Sequence, residues 1–277
     1  NRYVAFQTDH HAVVVTLWAV HTWVVNAFYV TPRLILDSAE PGSGKTRVLE
    51  LLALLCRSAK LTLSTTTAAL YRRIAAAADE GHPPPTVLQD EADAIFGKTS
   101  TPQAEDLRAL FNAGYKRGAT VDRCEGDAAR MRVKEFPVYA PVALAGLAGR
   151  MPATITTRGI TLHMRRRRPD QTLGEFRERD AVIEVAEIRE TLDAWAEANH
   201  DVLAAARPPM PSGVTDRSAE IWEPLLAIAD LAGGDWPILA RRACTHFVVD
   251  SAAEDEKLSL GQRLLRDIKE LLAAEQV

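Results

Sequence analysis

Apolar residues fall into short unbroken runs separated by longer amphipathic stretches. Residues 33–38 (RLILDS) form the first run, followed by Leu61–Ser64, Thr86–Gln89, Val142–Leu147 and Ile160–Met164. Runs this short, bounded by Gly, Pro or polar residues, read as buried strands. Between them the pattern changes to helical spacing. RVLELLALLC (47–56) carries leucines on more than one face. Thr67–Glu80 is alanine-rich and closed by Gly81. Ala104–Arg117 sets Leu107, Leu110 and Phe111 at core spacing, with Gly118 as its stop. Strands alternating with helices imply a mostly parallel sheet covered on both faces, an α/β fold.

Residues 119–138 break the alternation. They read as two extended runs around Glu125-Gly126-Asp127, a β-hairpin. Beyond Arg168 the chain turns helical. Val182, Val185, Ile188, Leu192 and Trp195 recur three to four apart within a segment, 171–201, of nine acidic and three basic residues. ARPPMPSGVTD (206–216) is a linker, and two or three helices follow, around Trp222–Ile228 and Leu258–Leu272. At the other end, Ala12–Pro32 has no charged residue. It is nearly long enough to span a bilayer. Its internal His21 and Asn26, and a glycine-rich loop a few residues later, make it a buried helix stopped by Pro32, with no membrane partner expected. The expected organisation is a helix at 1–32 packed on a core at 33–170, then a helical lid at 171–277.

Composition adds little. The chain has 277 residues, 47% hydrophobic and 25% charged, with net charge −4. Any affinity for nucleic acid must come from a local patch. Three widely spaced cysteines fit a reducing cytoplasm better than a disulfide framework. The start at Asn1 and the helical pattern running to Val277 are those of a piece of a longer chain.

The chemistry is concentrated after the first and third strands. Ala39-Glu-Pro-Gly-Ser-Gly-Lys-Thr46 matches a phosphate-binding loop, with Ala in place of its first Gly. Glycines let backbone N–H groups turn in around phosphate oxygens, and the next helix offers its positive end to the same anion. Pro41, Gly42, Ser43, Gly44, Lys45, Thr46 and Arg47 are the candidate nucleotide-binding set. Lys45 would reach the β- and γ-phosphates and the Thr46 hydroxyl would ligate Mg²⁺. Asp90 and Glu91 end an apolar strand, Asp90 as the second Mg²⁺ residue and Glu91 as the base that polarises water. Gln89 is a polar departure in that strand. ATP and Mg²⁺ are the expected cofactors.

Two basic features follow. From Lys116 to Lys134 there are six basic and three acidic residues. Arg123, Arg130, Arg132 and Lys134 thus make the hairpin either a nucleic-acid finger or a solvated hairpin of mixed charge. Arg158, just before the fifth strand, is either a surface arginine capping that strand or, as an arginine there is in oligomeric ATPases, one that reaches a neighbouring subunit's γ-phosphate, with Arg150 as second candidate. The run Arg165–Arg168 could touch a phosphate backbone or face the acidic segment after it.

Together these elements resemble an AAA+ ATPase core. More closely, HTWVVNAF, TPRLILDSAEPGSGKTRVLELL, LRALFNAGYKRGATVDRC, EFPVYAPVALAGL and GVTDRSAEIWEPLLAIADLAGGDWP resemble a family of uncharacterised P-loop proteins that accompany primase and helicase modules of plasmids and prophages. The resemblance implies sheet order 5-1-4-3-2, the roles given above for Lys45, Thr46, Asp90 and Glu91, and Arg158 as a trans arginine. It implies a homo-oligomer, with a ring as one form, that acts as a DNA-stimulated helicase or helicase-like translocase alongside primase or other replication proteins. A nucleotide-switched regulator or assembly ATPase acting on protein is the competing expectation. One departure stands out. The fourth strand of AAA+ proteins usually ends on a polar sensor, and VALAGLAGR offers only Ala145 and Gly146 there.

Overall fold

The computed structural model describes residues 2–62, 65–96, 101–125 and 132–251, with 261 and 264. The expected helix at Leu258–Leu272 therefore lies outside the described residues, apart from those two positions.

Chain order begins with α1 (Asp9–His21), β1 (Arg33–Ser38), α2 (Lys45–Leu55), β2 (Lys60–Thr62), α3 (Thr67–Asp79) and β3 (Val87–Gln89). It continues with α4 (Ala92–Ile95), α5 (Pro102–Ala113), β4 (Thr120–Glu125), β5 (Arg132–Pro137), β6 (Val142–Leu147), α6 (Ala153–Thr156) and β7 (Gly159–His163). Helices α7 (Glu178–Ala205), α8 (Asp216–Ala232) and α9 (Trp236–Thr245) complete it. The five-stranded sheet runs β2-β3-β6-β1-β7 with every pairing parallel. Counted along the chain as strands one to five, that is the order 5-1-4-3-2 expected above. β4 and β5 pair antiparallel, as the expected hairpin.

Both faces of the sheet are covered, and strand alternation shows how. Leu34, Leu36, Ala143, Ala145, Ile160 and Leu162 point to a cluster with α1, α2 and the C-terminal helices. Ile35, Val87, Val142 and Leu144 point the other way, to a cluster with α3, α5 and β5. The same alternation explains why these strands read as continuous apolar runs. Helix starts follow their caps. Thr66 Oγ1 accepts from Ala69 N at 3.2 Å to open α3, and Thr101 Oγ1 accepts from Ala104 N at 3.2 Å to open α5, with Pro102 in its first turn.

Two helix ends differ from expectation. The first helix stops at His21 rather than Pro32. Thr22 Oγ1 donates to Ala19 O at 2.7 Å, a 3-10 turn follows at Val25–Ala27, and Tyr139 Oη donates to Val25 O and Phe28 O at 3.1 and 3.0 Å. Side chains from later in the chain thus satisfy carbonyls that a longer helix would have used. Among the described residues no helix is long and apolar enough to cross a membrane. The fifth helix ends at Ala113, short of Arg117, because the chain at Gly114 passes against β5: a Cβ there would lie 2.1 Å from Val138 O. Thr31 N then donates to Tyr115 O at 2.8 Å, which keeps residues 115–117 out of the helix.

Arg33 is fully buried at the start of β1. Its guanidinium donates to Phe111 O at 3.0 and 2.9 Å and to Ala140 O at 2.6 Å, so one side chain ties three segments together. Burial pushes its pKa down to about 9.

Candidate phosphate-binding site

All five parallel strands end at one edge of the sheet, and the loops that leave them converge there. β1 passes directly into residues 39–44 and then α2. Gly42 and Gly44 sit at φ 75° and 88°, where a side chain would be strained. Lys45, the first residue of α2, turns back across the loop. Its Nζ donates to Ser38 Oγ and, at 3.3 Å, to Ser43 Oγ. The loop therefore closes around its own lysine.

β3 delivers the acidic pair to the same edge. Thr46 Oγ1 donates to Asp90 Oδ2 at 2.7 Å, joining residues far apart in sequence. Glu91 is exposed and left-handed at φ 51°, a conformation that costs a non-glycine residue roughly 1 kcal/mol. Its N–H donates to Asp90 Oδ1 at 2.8 Å, which fixes the bend and leaves the Glu91 carboxylate facing solvent. Gln89 is fully buried: its Oε1 accepts from Thr62 Oγ1 at 3.1 Å and its Nε2 donates to Asp90 O at 2.6 Å. The polar departure in this strand is thus a brace for Asp90.

Sequence reasoning missed Asp93. Its Oδ1 accepts from Leu147 N at 3.0 Å, and a Cβ on Gly146 would lie 2.8 Å from that same oxygen. A carboxylate from α4 therefore occupies the end of β6 where a polar strand residue was expected. Gly146 is what leaves room for it. The signal was present as an acidic residue two positions after Glu91, but no local pattern says which strand end it will meet.

An open cleft of about 420 Å³ runs along the loop. Gly42–Arg47 form one wall, and Tyr3–Ala5, Arg165, Arg167 and Leu173 the other. Arg47 pairs with Glu50 at 2.8 Å and lies 4.0 Å over the Phe176 ring. Among the described residues no group of three or more His, Cys, Asp or Glu is placed to hold a metal ion. A hard divalent ion bound mainly through a phosphate ligand needs only one or two protein oxygens, and the Thr46 hydroxyl and Asp90 carboxylate are the two that could offer them here.

Arg158 and the hairpin lie elsewhere. β7 runs parallel to β1 from the pair Arg33↔Gly159 to the pair Asp37↔His163, so Arg158 sits at the sheet edge opposite Lys45. Its guanidinium donates to Thr154 O and lies 5.3 Å over the Tyr115 ring. Arg150 is exposed in the turn after β6, on the same side as the loop. On the hairpin, Arg123 and Lys134 are direct cross-strand partners. Arg123 also pairs with Asp106 at 3.4 Å, and Arg132 is exposed. Arg130 lies outside the described residues. None of the described hairpin residues lines the cleft.

A known family and a known protein resemble parts of the chain. The profile of a family described as "Protein of unknown function (DUF3631)" matches residues 163–277. A protein of Saccharopolyspora erythraea described as "Uncharacterized 28.9 kDa protein in xis 5'region" is 41% identical over 106 residues, which is 38% of this chain and 39% of that protein. The chain thus spans about two fifths of the length of that curated relative.

Proposed function

We propose that this chain is a P-loop ATP hydrolase of the AAA+ kind, dependent on Mg²⁺, that works as a homo-oligomer and is stimulated by DNA. The observation that carries the reading is the meeting of Thr46 with Asp90 at 2.7 Å beside a lysine folded into a glycine loop. The strand order supports the AAA+ assignment. Thr46 and Asp90 would hold Mg²⁺, which supplies charge neutralisation at the phosphates. Lys45 adds a fixed positive charge from the loop. The exposed Glu91 carboxylate accepts a proton from the attacking water, whose oxygen bonds to the γ-phosphorus as the bond to the β–γ bridging oxygen breaks. The products are ADP and phosphate.

Arg158, at the far end of the sheet, reaches no phosphate of its own cleft. It can serve only a neighbour's site, after leaving Thr154 O. DNA enters through the hairpin. Arg123 and Lys134 stand directly opposite one another and Arg132 is exposed beside them, a basic surface of the kind that meets a phosphate backbone.

A second reading has its own observation. On α7, Val182, Ile183 and Ile188 are 49%, 75% and 48% exposed within an acidic helix, the character of a surface that meets protein. On that reading the hydrolase is a nucleotide-switched regulator or assembly factor.

The test is ATP turnover with and without single-stranded DNA. Glu91→Gln should keep ATP binding and lose about 100-fold or more in turnover. Arg123→Glu with Arg132→Glu should abolish DNA stimulation alone. Unchanged turnover in Glu91→Gln removes it as the base, and DNA-independent turnover in the native chain favours the protein-directed reading.

A further inference from the structure

The four arginines after β7 do not share one environment. Met164 N donates to Asp37 O at 2.7 Å, which extends the β1–β7 ladder and holds the chain beside the loop as it leaves β7. Arg166 is the latch. Its Nε donates to Pro41 O at 2.9 Å, it pairs with Glu40 at 3.3 Å, and its guanidinium covers Gly42. Arg168 pairs with Asp170 at 3.4 Å. The two residues flanking the latch, Arg165 and Arg167, line the cleft opposite Gly42–Arg47. Arg167 gives one donor to Gln171 O at 2.7 Å and keeps the rest of its fork. Among the described residues Arg165 makes no ion pair or hydrogen bond.

The charge around this space is one-sided. Lys45, Arg47, Arg165 and Arg167 line it, and among the described residues no carboxylate does. Arg47 already has Glu50, whereas among the described residues Arg165 has no anion to answer it. Cations gathered in a cleft with no counter-charge repel one another unless an anion joins them. Resting on the nucleotide reading above, we infer that Arg165 and Arg167 are cis ligands of the triphosphate, held over the loop by the Arg166 latch. Their planar forks bind phosphate oxygens bidentately from the side that Lys45 does not reach. This separates them from Arg158, which lies at the other end of the same strand.

Calorimetric titration of the full chain with Mg·ATP tests the assignment. Arg165→Ala and Arg167→Ala should each weaken binding about tenfold to a hundredfold and Arg165→Glu should abolish it, on the scale of the charge-assisted hydrogen bonds each fork makes. Arg168→Ala should bind as the native chain does. Because all three side chains are exposed, their thermal melting midpoints should match the native one. Native binding with undiminished affinity in Arg165→Ala and Arg167→Ala overturns the arginine assignment and leaves the P-loop reading intact. Equal weakening by Arg168→Ala also overturns it, since the effect would then be one of general charge. A native chain that binds no Mg·ATP overturns both.

Discussion

Replacing Gly146 by alanine places a methyl group 2.8 Å from Asp93 Oδ1, 3.0 Å from Met151 Cε and 3.1 Å from Asp93 N. Carbon and oxygen do not rest that close, and the softest of these neighbours is the Asp93 carboxylate. It must release Leu147 N, its 3.0 Å donor at the end of β6. A hydrogen bond to a charged acceptor contributes about 1.5–3 kcal/mol, so Gly146→Ala should destabilise by about 2 kcal/mol. Asp93→Ala removes the same bond directly and should cost a similar amount. The double variant should cost clearly less than the two added together, because each change breaks the same contact. Urea unfolding of the four proteins gives this coupling, and turnover measured alongside should fall in both single variants with ATP binding retained. Strict additivity in stability, or full turnover in Asp93→Ala, would refute the claim that this carboxylate serves the end of β6.

Other consequences are as definite. Arg33→Met should lose about 2–5 kcal/mol, because the two carbonyls Phe111 O and Ala140 O are left buried without donors; denaturant midpoints read it. His21 is fully buried, and burial lowers its pKa to about 3. The unfolded chain takes up that proton near pH 6.5 and the folded chain does not. This contribution is complete above about pH 6.5 and is lost as pH falls toward 3, at most about 4–5 kcal/mol. His21→Gln should make the acid limb of a stability–pH curve shallower, with His11, lowered to about 4, keeping part of it. Gly44→Ala should weaken nucleotide binding without unfolding the chain, since φ 88° is strained for alanine while the space itself is open to Met164 Cε at 3.9 Å; titration with ATP and melting separate the two.

What the sequence made legible follows from how local its causes are. The glycine loop, its lysine and the acidic pair depend on neighbours in the chain, and apolar runs mark the strands because both sheet faces are covered. Helix ends were less legible where distant residues set them. Tyr139 holds the turn after α1 and Val138 O forces Gly114, and neither is visible from the segment it shapes. Arg33 opens the first apolar run, and its work as the buried tie between α5 and the start of β6 depends on carbonyls far along the chain. Asp93 was hidden for the same reason: its partner is on another strand, and the clue was a glycine where a polar residue was expected. The arginine run was read as one unit, whereas the path out of β7 sorts it into the latch Arg166, the cleft residues Arg165 and Arg167, and Arg168, which pairs with Asp170.

The central claim is that the loop at Ala39–Thr46 and the pair Asp90–Glu91 form one hydrolytic site. Phosphate release from ATP by the native chain, in Mg²⁺ and in excess chelator, tests it most directly when Lys45→Ala is run in parallel. Steady release is expected in Mg²⁺, with none in chelator and none from Lys45→Ala. Release that persists in Lys45→Ala, or a native chain that neither binds nor hydrolyses ATP in Mg²⁺, would contradict it.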